Sequence, residues 1–401
     1  MAAMVMLAGL ASATDAAAMW GERMEAFAAQ ARTQDSNIFR ISGSSDPAAV
    51  LGTSEKDDVY YTTSVGLRFD VPVSRQRFLG GIEWDRRRYE RFSVLDFTNR
   101  HERALWKWRA GDDLDGELGH AQSRELASLA NVQSGVQRSS PNALVTRRTH
   151  FNAAYLLTPR WRLQSEASRR EQSNAVPVFQ VNDITLDGVG IAASHVSPAG
   201  NQIGLGLKLG TGDLPVAQAV AGRQIDNSYR QHSAELLGEW VPTGKSRIQF
   251  RLGRVSRNYD QLPQRDFDGG TFHFRYDWQA SGKLSVALVA ERDISTEEQI
   301  NVGFVLVNGV ALQSTWRLTE KIDLSAALEH SDRDYLGDPG LVLGTVAPRA
   351  DRVRAAAVSA SWQPLRSLKV GVDWRRETRA STAIAGDYAV NSFTVNARLG
   401  F

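Results

Sequence analysis

The sequence predicts an all-β fold: one up-and-down transmembrane barrel of about 18 antiparallel strands, with short turns at one end and longer loops at the other. Three observations carry that expectation. Apolar and polar residues alternate with period two along most of the chain, tight turns and long polar loops follow one another regularly, and tryptophans recur just before the tight turns.

Alternation is clearest in Thr271–Trp278, where Phe272, Phe274, Tyr276 and Trp278 interleave with Thr271, His273, Arg275 and Asp277. Lys321–Glu329 and Phe393–Phe401 repeat it, as do Tyr61–Val71, Ile203–Leu209, Ile248–Leu252 and Val370–Trp374. Period two sends successive side chains to opposite faces of a strand. Turn signals stand at Val71–Ser74, Ala110–Asp113, Leu157–Pro159, Ser197–Gly200, Val241–Gly244, Ala280–Gly282, Leu318–Glu320 and Gln363–Leu365, where Pro and Gly supply the backbone angles that hairpins need. Polar loops separate them at 41–58, 89–99, 125–146, 173–187, 211–227, 259–269, 295–300, 332–351 and 379–387. Each turn joins two strands; a first strand, Met24 to Phe39, and a last, Tyr388 to Phe401, complete the expected set.

A β-propeller repeats at a similar interval, but its blades bury both faces, and here the polar phase carries full charges such as Arg247, Arg251, Lys369 and Asp373. Trp108, Trp240, Trp278, Trp316 and Trp362 sit one or two residues before turns on the apolar phase, which predicts a periplasmic aromatic girdle. Phe393 and Phe401 close the chain in the same phase and resemble the C-terminal signal read by the barrel-assembly machinery.

The 401 residues contain no Cys, which excludes disulfides, thiolate metal sites and Cys nucleophiles. The 47 basic and 45 acidic residues nearly cancel, which argues against a nucleic-acid binder. Of the basic residues, 40 are Arg and 7 are Lys. The seven His are scattered, with no HExxH spacing, and no Gly-x-Ser-x-Gly elbow occurs. No catalytic residue, metal site or cofactor is therefore expected. Residues 1–18 are Ala-rich and apolar with small-residue cleavage patterns, so they are expected to be a secretory signal, and residues 19–401 the barrel. The signal lacks a positive n-region, so its true start is expected upstream of Met1, or the given start is truncated.

By phase, the expected lumen lining begins with Arg68, Glu83, Asp85, Arg103, Lys107, Arg162, Glu166, Glu235 and Glu239. Arg247, Arg251, Arg275, Asp277, Arg354, Lys369, Asp373, Arg375 and Arg398 continue it. A wall of mixed sign suits polar, hydroxyl-rich or zwitterionic solutes. Residues 125–130 could form a short helix in a loop that folds inward and narrows the pore. Arg86, Arg88, Arg169, Arg254 and Arg376 crowd the apolar phase near the loops, as contacts for lipopolysaccharide phosphates or as snorkelling side chains.

Asp35–Ser42, Asp46-Pro47 and Val71–Phe78 resemble the first hairpin of exopolysaccharide-associated outer-membrane barrels, the EpsL type of the β-barrel porin 2 group. Thr243–Ser246, Gln264–Phe267, Tyr276–Trp278 and Ser281–Lys283 are similar to later pieces of that family, so the resemblance spans roughly 24–401. It implies a protein of the Gram-negative outer membrane encoded with exosortase-linked exopolysaccharide systems. That protein would be a passive conduit or docking component, with the polysaccharide chain, other export components and outer-membrane lipid as partners. A diffusion porin preferring oligosaccharides is the alternative.

Overall fold

A strand with lipid on one side and water on the other must alternate, and the chain folds accordingly. The computed structural model describes residues 23–131, 141–220, 223–295, 304–336 and 349–401. The expected signal segment lies outside the described residues.

The first nine strands are β1 (Met24–Asp35), β2 (Asp58–Val73), β3 (Gln76–Tyr89), β4 (Phe97–Ala110), β5 (Leu114–Leu126), β6 (Ala143–Thr158), β7 (Trp161–Asn174), β8 (Ile184–Val196) and β9 (Gln202–Asp213). A small hairpin follows in a loop, β10 (Gln218–Val220) and β11 (Arg223–Ile225). The rest are β12 (Tyr229–Thr243), β13 (Ser246–Tyr259), β14 (Phe267–Gln279), β15 (Leu284–Ser295), β16 (Phe304–Arg317), β17 (Ile322–Leu336), β18 (Ala350–Trp362), β19 (Leu368–Ser381) and β20 (Tyr388–Gly400).

All but β10 and β11 form one 18-stranded antiparallel sheet in which each strand pairs with its neighbours. It closes where β1 pairs β20, from Phe27 opposite Gly400 to Asp35 opposite Ser392. Closure leaves no sheet edge, so every strand finds its backbone partners without water, as a bilayer demands. The eight predicted tight turns are the eight short connections. β1 stops at Asp35, before the expected Phe39, where Asp35 Oδ1 takes the Asn37 N–H at 2.8 Å and a turn follows in which the Arg40 N–H donates to the Asn37 carbonyl at 3.0 Å and Arg40 adopts φ 54°.

Residues paired directly across strands share a face. The outer face carries Val65, Leu67 and Phe69 on β2, Val189 and Ile191 on β8, and Ile203, Leu205, Leu207 and Leu209 on β9, all exposed. Leu205 is 68 % exposed and Ile191 65 %, which in water would be an untenable apolar patch and in a bilayer is ordinary. Leu207→Arg, in the middle of β9 on this face, is expected to cost about 2–4 kcal/mol. Denaturant titration of the barrel in lipid vesicles checks it.

Candidate functional site in the barrel lumen

Because pairing fixes the faces, each expected lumen residue can be placed. Arg68 lies between the lipid-exposed Leu67 and Phe69 and faces inward, opposite Glu25 and Gly81. The same test puts Glu83, Asp85, Arg103, Lys107, Arg162, Glu166, Glu235 and Glu239 on the inner face. Arg247, Arg251, Arg275, Asp277, Lys369, Asp373, Arg375 and Arg398 are also inward.

Arg354 is the exception. It shares parity with the exposed Val358 and Trp362 and pairs with His330 and Thr378, so it faces lipid. The run Ala355-Ala356-Ala357 carries no polarity contrast, and the phase is lost there.

Most inward charges are paired. Arg68 reaches Glu83 at 3.2 Å, Arg162 reaches Asp115 at 3.2 Å, and Lys208 bridges Glu166 at 3.0 Å and Glu235 at 3.3 Å. Arg275 binds Asp277 at 2.6 Å, Arg398 binds Glu25 at 2.8 Å, and Arg375 is held by Glu329 and Glu377 at 3.0 Å each. These pairs are partly exposed and individually worth little stability. Their effect is to fix side chains against the wall and cancel charge locally. Sequence phase does not single out Asp115, Glu117 or Lys208. Gly116 separates the first two and Gly206 stands two residues before the third, and each glycine weakens the alternation.

The cancellation is incomplete, most densely on one side, although Arg251 on β13 and Lys369 on β19 are also without an ion pair among the described residues. On β4, β6 and β7, Arg103, Lys107, Arg109, Arg148 and Arg170 face inward with no carboxylate at ion-pair distance among the described residues. Lys107 and Arg109 stand near the tight turns, Arg103 halfway along β4, and Arg148 and Arg170 toward the loops. A cavity of about 1060 Å³ opens beside the lower part of this track, with Arg77, Lys107, Arg109, Arg162 and Lys208 on its wall.

The loops lean inward over the other end. Ile38, Phe39 and Ile41, from the β1–β2 loop, are buried in a cluster with Tyr89 and Leu95, against which Tyr60, Leu126 and Leu129 pack. Asn37 pins this cap. Its backbone N–H donates to Asp35 Oδ1 at 2.8 Å, its Nδ2 donates to the Ile41 carbonyl at 2.8 Å, and its Oδ1 accepts from the Ile41 N–H at 2.9 Å. A second cluster, Ile184, Tyr229, Tyr259, Leu262 and Phe304, sits at another sector of the mouth.

The two sectors share a construction that alternation alone does not reveal. Tyr89 and Tyr259 each donate a backbone N–H to an Asp seven residues on, Asp96 and Asp266, at 2.8 Å. Arg87 stacks over Tyr60 at 5.7 Å and Arg257 over Tyr229 at 4.1 Å. The spacing Tyr-x6-Asp-Phe, present in both loops, is the signal that would have found it.

The β5–β6 loop goes furthest. Ser128 and Ala130 line a cavity of about 570 Å³ together with Glu329, Arg375, Glu377 and Tyr388, which belong to strands five to eight places away round the barrel. The expected inward loop is thus present over 127–131, but as a strand end followed by a single 3-10 turn, Leu129–Asn131.

On the outside, Trp240, Trp278, Trp316 and Trp362 are exposed at the turn end of the barrel, and Trp108 stacks on Phe151 and lies tilted against Trp106 there. Trp161 joins them, following its turn instead of preceding it. Phe393 faces outward, and Phe401 is exposed with its backbone paired to Ala26. Arg86, Arg88, Arg169, Arg254 and Arg376 all lie on the outer face toward the loops; Arg169 and Arg254 are bonded to Glu171 and Asp268.

Residues 243–401 match the family described as Putative beta-barrel porin 2. No curated protein matches the chain. Among solved structures, OccK2 (OpdF) of Pseudomonas aeruginosa is similar at 12% identity and TM-score 0.51, covering 95% of this chain and 98% of its own. OccK1 (OpdK) of the same organism is similar at 12% identity and TM-score 0.49, covering 95% and 99%. The OccK2 likeness carries the fold, and with the family match it makes the chain a porin-like β-barrel of the Gram-negative outer membrane.

Proposed function

We propose that the chain is a passive diffusion channel for small polar solutes, with a preference for those bearing negative charge. The observation that supports it is the concentration of Arg103, Lys107, Arg109, Arg148 and Arg170 on neighbouring strands, running from the turn end toward the loops with no carboxylate at ion-pair distance among the described residues, although Glu117 and Asp115 stand across from Lys107 and Arg109. Unpaired cations on a low-dielectric wall focus the field into the lumen and raise the local concentration of anions. The paired charges elsewhere give hydroxyl-bearing solutes donors and acceptors without a net pull. Planar-bilayer recordings under a potassium chloride gradient test this. The wild type is expected to be anion-selective, and the triple variant Arg103→Gln, Arg148→Gln, Arg170→Gln should lose roughly tenfold of that selectivity. A cation-selective wild type, or an unchanged reversal potential in the variant, rejects the proposal.

A second reading, a component of exopolysaccharide export, is favoured by one feature. The block Asp35–Ser42, which carries the family resemblance, is the part that caps the mouth through Asn37 and the Ile38–Phe39–Ile41 cluster. A mouth covered over one sector by a hydrogen-bonded loop suits a conduit that a partner opens further. Gene deletion scored for secreted polysaccharide and for small-solute uptake separates the two: loss of polymer with normal uptake selects export, and the converse selects the porin.

A further inference from the structure

The lipid-facing Arg354 marks a second site, on the outside of the barrel. Arg354 and Arg376 stand on adjacent strands, β18 and β19, on the lipid face. Arg354 lies eight residues up β18 from Trp362 of the girdle, and Arg376 pairs with Ala356, six residues up. Lipid-exposed Val358 and Trp374 lie between them and the girdle, and the polar His330, Thr378, Arg352 and Asp332 lie beside and above them, so both guanidiniums stand at the loop-side edge of the apolar band. Charge on that surface is costly unless it is satisfied. Some outward arginines satisfy it within the protein, as Arg352 does with Asp332 at 2.9 Å and Arg254 with Asp268, whereas Arg86 and Arg88 on β3 have no ion pair among the described residues. Arg354 and Arg376 have no carboxylate partner among the described residues.

They also border a groove. Small Ala356 sits between the larger Leu328 and Arg376 across the strands, and with Val310 it forms the floor of a depression of about 400 Å³ that opens toward lipid. An apolar trough with two guanidiniums at its loop-side end has the chemistry of one ligand class, an acyl chain attached to a phosphate-bearing headgroup. In the outer leaflet of this membrane that is the lipid A moiety of lipopolysaccharide. We propose that this groove is a lipid A site, with an acyl chain lying against Val310, Leu328 and Ala356, and a headgroup phosphate received by the forks of Arg354 and Arg376, whose planar donor pairs match phosphate oxygens. The proposal does not depend on what the lumen carries.

Native mass spectrometry of the full-length barrel in detergent, titrated with lipid A, dephosphorylated lipid A or inorganic phosphate, tests it. The wild type is expected to retain one lipid A per chain. Dephosphorylated lipid A should bind about tenfold more weakly, and inorganic phosphate should not compete. Arg354→Gln with Arg376→Gln should lose the same factor, and Leu328→Trp, which fills the trough but keeps both arginines, should lose binding as well. Heat-modifiable migration verifies that each variant is folded. Equal retention by wild type and the double variant means the arginines merely snorkel and overturns the site. So does a cross-link between two copies through Ala356→Cys at full yield in lipid A-free detergent, which would assign the groove to self-association.

Discussion

Replacing Ser128 and Ala130 together by tryptophan is expected to cut single-channel conductance roughly fivefold, without changing the temperature at which the barrel unfolds. Both residues have small side chains, both line a cavity whose far wall is Glu329, Arg375 and Glu377, and no side chain of comparable reach enters that cavity from the β5–β6 side among the described residues. Indole rings there would occupy water-filled space instead of displacing protein, so the folding penalty is small and the flux penalty large. The converse experiment removes residues 128–140 and should raise conductance. Asn142 must be kept. It is 2 % exposed, donates to Asn174 Oδ1 at 2.7 Å, and lends its carbonyl to the Ala127 N–H at 2.8 Å, so its loss would unfasten the tops of β6 and β7. Conductance that is indifferent to both changes would place the narrowest point elsewhere.

The contrast between what the sequence discloses and what it hides follows from what period two encodes. Where a strand alternates strongly, as in Phe272–Trp278, the face of every residue is legible, because lipid and water impose opposite demands on neighbouring positions. Where both phases are small, as at Ala355–Ala357, nothing in the strand reports its orientation, and the general preference of charge for water wrongly places Arg354 inside. Turns are legible because Pro and Gly mark them chemically. The behaviour of loops is not, because inward folding is decided by contacts between segments far apart in sequence. Ile38 and Phe39 read as the end of a strand, whereas they fill a cluster with Tyr89 and Leu95 above the lumen. Ion pairs such as Arg162 with Asp115, 47 residues apart, are likewise consequences of register, which the sequence constrains only after the strands are counted.

Phe27→Ala is expected to lower the stability of the barrel by about 3–5 kcal/mol, the range for removing a fully packed aromatic. Phe27 is the aromatic of an Ala-rich strand, and it points inward among charged residues, where a lipid-facing pattern would not place it. Its two strand neighbours at that level are both glycine, Gly66 on β2 and Gly400 on β20. A Cβ at Gly66 would lie 2.6 Å from the ring, so the glycine is there to admit it. Arg398 covers the ring at 3.9 Å from its centroid and Arg68 at 4.7 Å, leaving Phe27 only 4 % exposed inside a watery lumen. Both guanidiniums are anchored in turn, Arg398 on Glu25 and Arg68 on Glu83. Phe27 therefore ties β1 to β2 and β20 where the first and last strands must meet for the barrel to close. Unfolding in lipid vesicles, followed by tryptophan fluorescence and by band shift, measures the loss. Phe27→Leu should recover most of it through apolar volume but not the cation–π part, worth about 0.5–2 kcal/mol. Gly66→Ala should destabilise the wild type and cost less in the Phe27→Ala background, where the ring clash is gone and only the Ile82 carbonyl, 2.8 Å from the added Cβ, remains, a coupling expected only if the two share the same space. Additive effects, or a Phe27→Ala barrel as stable as the parent, would mean that the seam is held by the β1–β20 hydrogen bonds alone.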